Sequence, residues 1–105
     1  MSENKKDWTI FLEKLPSWQE KYMARLEGRY IEMLSDSRKL PSEKFRELEK
    51  AMKEDRRSPG VFLELDRKNM EIDIKRLLAY EVITIEDLAD FSDELKDSIK
   101  ESQLF

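Results

Sequence analysis

Residues that break helices are scarce in this chain, and they stand where helices start or stop. There are three prolines, Pro16, Pro41 and Pro59, and two glycines, Gly28 and Gly60, in 105 residues. Proline fixes φ and carries no amide proton. It is therefore tolerated at the first position of a helix and disfavoured inside one. Between these breaks the apolar residues recur at helical spacing. The chain reads as all-α, a small bundle of four to five helices forming a single domain over residues 1–105, with residues 1–6 disordered.

Each stretch has its own pattern. Asp7 is a candidate N-cap for a short first piece carrying Trp8, Phe11, Leu12 and Leu15, which Pro16 ends. Ser17 with Glu20 forms a capping-box pattern for a second helix, about 17–35, whose broad apolar sector holds Trp18, Tyr22, Met23, Leu26, Tyr30, Met33 and Leu34. Gly28 lies off that sector. The motif Lys-Leu-Pro-Ser occurs at Lys14–Ser17 and again at Lys39–Ser42. It is shared capping grammar rather than a repeat, because the register slips after it. A third helix, about 42–57, has a thin stripe of Phe45, Leu48, Ala51 and Met52.

Residues 58–80 are expected to form a fourth helix opened by Ser58-Pro59-Gly60. Leu63, Met70, Ile74 and Leu77 form one stripe; Val61, Leu65, Ile72 and Ala79 form a second on the opposite side. A helix apolar on two faces needs cover on both. This places the fourth helix at the centre of the bundle, or shares it between two subunits. The last helix starts at Thr84, with Asp87 completing a capping pair. Its inner stripe is Leu88, Phe91, Leu95 and Ile99.

Charged residues make up 42% of the chain and hydrophobic residues 39%, enough apolar content for a folded core. No apolar run exceeds four residues, so no segment can span a membrane, and no apolar signal region follows the N-terminus. The expected location is cytoplasmic. The net charge of −4 is unevenly spread. Residues 21–80 hold fifteen basic and twelve acidic side chains; residues 81–105 hold two basic and eight acidic.

The chain has no cysteine and no histidine. That removes a disulfide framework, a thiolate metal site and histidine acid–base chemistry. The acids from Asp90 to Glu101 span the length of a calcium loop, but Leu95 stands where the sharp turn needs glycine. Residues 83–92 resemble the opening of a helix-turn-helix unit. The helix that follows is acidic and offers no arginine or asparagine to base edges. No catalytic, cofactor-binding or metal-binding residues are assigned, and the chain is not expected to be an enzyme.

Two surfaces remain. Val61, Leu65, Ile72 and Ala79 are the candidate interface for a homodimer. Arg56, Arg57, Arg67, Lys68, Lys75 and Arg76 are a candidate basic strip. The leading expectation is a small protein-interaction or adaptor module with an unidentified protein partner. The second is a nucleic-acid-associated accessory protein using the basic middle.

Overall fold

The computed structural model describes residues 4–103. Among them are four α-helices, α1 (Lys5–Leu34), α2 (Pro41–Asp55), α3 (Met70–Ala79) and α4 (Asp93–Gln103), and two 3-10 turns at Arg67–Asn69 and Ile85–Leu88. No strand is present among the described residues. Of residues 1–6, read from sequence as disordered, residues 1–3 lie outside the described range. Asn4 caps α1 by accepting from the Lys6 and Asp7 amides, and Lys5 and Lys6 begin the helix.

The N-terminal piece and the second helix are one element. α1 runs through Pro16 for 30 residues, about 45 Å at the usual rise. An interior proline removes one backbone bond and costs about 3 kcal/mol. Here Pro16 and Leu12, whose carbonyl loses its donor, both lie on the exposed side, where water can take the donor's place. Phe11, Leu15, Trp18 and Tyr22 keep an unbroken helical period across it and bury against a common surface. That burial offsets the lost bond. Asp7 is accordingly not an N-cap of α1. It is buried, and its carboxylate accepts from the Ser92 amide at 2.8 Å and the Ser92 hydroxyl at 2.6 Å. Ser92 Oγ in turn accepts from the Leu95 amide at the start of α4. One buried acid thus joins the two ends of the chain.

The expected fourth helix is the main correction. Residues 58–80 are a buried turn, an extended segment, a 3-10 turn and only then the ten residues of α3. Ser58, Pro59 and Gly60 do not open a helix. They are buried against α1, where Gln19 Nε2 donates to the Pro59 carbonyl and the Gly60 backbone lies on the Tyr22 ring. A Cβ at Gly60 would run into the Tyr22 ring and come within 2.8 Å of Val82, so any other residue forces these neighbours to shift. The helical start lies further on, at Asp66, whose carboxylate accepts from the Lys68 amide.

α3 is amphipathic on one face. Met70, Ile74 and Leu77 are fully buried, while Ile72 and Ala79 are exposed. It ends in a Schellman turn. The Val82 amide donates to the Leu77 carbonyl and Glu81 takes the left-handed conformation at φ 58°. The Glu81 carbonyl accepts from Arg25 of α1.

The core joins the first half of α1 to everything after residue 69. Phe11, Leu15 and Trp18 meet Met70, Ile74 and Leu77 of α3, Leu88 and Phe91 of the following segment, and Leu95 and Ile99 of α4. Trp8, Phe11, Trp18 and Phe91 form a chain of ring contacts with centroids 5.8–6.3 Å apart. The last helix does not start at Thr84: the Thr84–Asp87 cap opens only the 3-10 turn, the chain turns again over residues 89–92, where Ser92 is held by Asp7, and α4 begins at Asp93. The stripe of Leu88, Phe91, Leu95 and Ile99 is nonetheless buried in full. α2 is outside this core. It folds back along the distal half of α1 as a hairpin, and the molecule measures 52 × 26 × 19 Å.

Candidate interaction surfaces

The hairpin is tied mainly by polar contacts. Tyr30 donates to the Asp55 carboxylate, which also meets Arg29 at 3.3 Å. Lys39 pairs with Glu47 at 2.6 Å, and Lys44 Nζ donates to the Leu34 carbonyl at the end of α1. Glu43 closes the start of α2 by accepting from the Leu40 amide. Burial and the Asp55 carboxylate hold the Tyr30 phenol protonated and push its pKa up to about 12. Not one residue of α2 is fully buried.

The apolar residues of the hairpin are mostly uncovered. Ile31 and Leu34 in the last turn of α1, Leu40 in the turn, and Phe45 and Met52 of α2 are all exposed, Phe45 to 71%. Leu48 is half-buried between the Phe45–Met52 stripe and α1. At 3.6 residues per turn, Glu54 lies about 180° from Phe45 on α2. Glu47 and Glu54 line a polar hollow with Arg29 and Glu32. One side of α2 is thus charged and the other apolar, and α1 fills the space between them.

The four residues expected to form the interface do not share a helix. Val61 is half-buried in the turn after Gly60, and Leu65 is exposed in the extended segment. Ile72 and Ala79 are exposed on the outer face of α3, where Arg76 lies over the Tyr80 ring.

The basic strip divides in the same way. Arg56, Arg57 and Arg76 line one open hollow of about 350 Å³ with Phe62, Asn69 and Asp73. Lys75 pairs with Glu71 at 3.4 Å, and Arg67 and Lys68 lie in the 3-10 turn. Asp73 is buried at the floor of this hollow. Burial pushes its carboxyl up, Arg76 pulls it back down, and Asp66 adds to the rise. On the acidic side, Asp90 pairs with Lys14 at 3.0 Å and Asp93 with Lys96 at 3.5 Å.

Among the described residues, no group of three or more acidic side chains is placed to hold a metal ion. No helix among them is long and apolar enough to cross a membrane. No protein family, curated protein or solved structure matches this chain.

The exposed hairpin stripe was partly legible in sequence. Phe45, Leu48, Ala51 and Met52 form a thin stripe at helical spacing with charge over the rest of the helix, but the spacing does not say that Phe45 and Met52 stay exposed.

Proposed function

We propose that this chain is a helical protein-interaction module of the cytoplasm and not an enzyme. Its working surface is the apolar side of the hairpin formed by the distal half of α1 and α2. The observation that carries this reading is the contrast between a closed core and a hairpin that leaves Ile31, Leu34, Leu40, Phe45 and Met52 exposed together. Scattered exposed apolar residues need no explanation, but a concentration of them on one element marks a contact site. The matching surface is another amphipathic helical face, laid along the stripe at helical spacing.

A photo-crosslinking amino acid placed at Phe45 and, separately, at Ala79 tests this in the native cell. The hairpin position is expected to give a discrete protein adduct and the α3 position none. Adducts from Ala79 alone, or none from Phe45, would overturn the choice of surface.

A second reading has its own observation. Arg56, Arg57 and Arg76 converge on one hollow beside the exposed ring of Phe62, an arrangement suited to phosphate and a stacked base. Retention on a heparin column that falls steeply with salt would favour it; flow-through at low salt would remove it.

A further inference from the structure

We infer that the helical face received by the hairpin belongs to a second copy of this chain. Two hairpins meet about a two-fold axis, with α2 against α2, and form a four-helix bundle. This rests on the reading of the hairpin as the working surface and names its partner.

Area is the first argument. The five exposed side chains present on the order of 500 Å² of apolar surface, the upper range for the largest patch on an ordinary monomer. A standard interface takes roughly 800 Å² from each partner, with a core about 65% apolar. The patch therefore has the size of one half of a symmetric contact, without help from any other surface.

Charge is the second. Residues 27–55 contain seven basic and eight acidic side chains. So near a balance, two copies of the hairpin approach without net repulsion. A strongly acidic or strongly basic partner would gain nothing from such a surface. On α2 the apolar stripe has Glu49 beside it, with Arg46 and Lys53 beyond, all exposed. A rim of both signs can meet its own inverted copy, as an isologous interface requires.

Helix stability is the third. Isolated helices as short as the 15 residues of α2 are marginal in water. α2 has one long neighbour and no buried side chain. A second hairpin supplies the missing cover. Nothing of the core stands in its way, because Phe11, Leu15 and Trp18 hold the rest of the chain against the other half of α1.

Sedimentation equilibrium of the full chain, from low micromolar to near-millimolar concentration, tests this. The wild type is expected to follow a monomer–dimer equilibrium. Phe45→Glu with Met52→Glu should weaken it by about 100-fold or more, with the helical content of the monomer retained. Leu65→Glu with Ile72→Glu should leave it unchanged. If the Glu pair unfolds the hairpin, Phe45→Ala with Met52→Ala decides. Weakened dimerisation with an intact circular dichroism spectrum supports the pairing, and a wild-type dissociation constant overturns it. A wild type that stays monomeric throughout overturns it as well. Should that monomer still crosslink from Phe45 to a different protein, self-pairing fails and the interaction surface stands. If neither occurs, both fail.

Discussion

The two halves of α1 do opposite things with the same kind of sequence. The first half presents Phe11, Leu15 and Trp18, which disappear into a core completed by α3 and α4. The last turns present Tyr30, Met33 and Leu34 toward α2, which has nothing fully buried. In the core, shape decides. Gly60 touches the Tyr22 ring, and aromatic rings meet edge and face. In the hairpin, polar pairs such as Tyr30–Asp55 and Lys39–Glu47 join the two helices, Leu26 is buried and Met33 and Leu48 half-buried, and Ile31, Leu34, Leu40, Phe45 and Met52 stay exposed. A periodic apolar stripe therefore states that a face needs cover. It does not state that the same chain provides it.

The contrast can be broken by mutation. Phe11→Ala should cost about 3–5 kcal/mol, the range for truncating a fully buried aromatic side chain. Leu48→Ala, the corresponding truncation at the hairpin contact, should cost well under half of that in the monomer. Chemical denaturation at low protein concentration measures both. Equal losses would mean that the hairpin is as well packed as the core.

The glycines sharpen it. Gly60→Ala forces a methyl group into Tyr22 and Val82 and should cost about 1–3 kcal/mol, as overpacking does. Gly28 has no atom within 4 Å of the place its Cβ would take. Gly28→Ala should therefore gain about 1 kcal/mol from helix propensity alone. Thermal melts of the two variants should move in opposite directions. A loss at Gly28 would show that its side of α1 is covered in solution.

A smaller effect is expected in alkali. The Tyr30 phenol has a folded pKa of about 12 against an ordinary value of 10.0. A raised pKa means that the folded state favours the protonated form. Its contribution is complete below pH 10 and is lost as the pH rises toward 12. Wild type should lose stability across that window by more than Tyr30→Phe does, and the difference in phenolate absorbance between them should titrate near the top of it. Identical alkaline curves would mean that Tyr30 is not held by Asp55.

Much of this could be read from the residues. The helical class, the extent of α2, the burial of Leu88, Phe91, Leu95 and Ile99 and the aromatic docking of the N-terminal segment follow from spacing and caps, although α4 itself starts at Asp93 and not at Thr84. Two joints could not be read in the same way. Pro16 is a stop by propensity, yet Phe11, Leu15, Trp18 and Tyr22 hold one period across it, and long-range burial prevails over the local rule. Residues 58–66 have helical spacing and a helical opening, but Gly60 is held against α1 and the chain must then extend to bring α3 onto the core. Contacts between residues 22 and 60 leave no periodic trace. The two-sided helix that would carry Val61, Leu65, Ile72 and Ala79 as one face does not form, and the exposed apolar stripe lies on α2.

Hydrogen exchange of the α2 amides at low and at high protein concentration would separate a hairpin covered by a second copy from one left bare. Exchange in α2 and in the last two turns of α1 should slow as concentration rises, while the amides of α3 and α4 keep the same protection throughout. Equal exchange in α2 at every concentration, or added protection appearing around Leu65 and Ile72 instead, would contradict the pairing of hairpins.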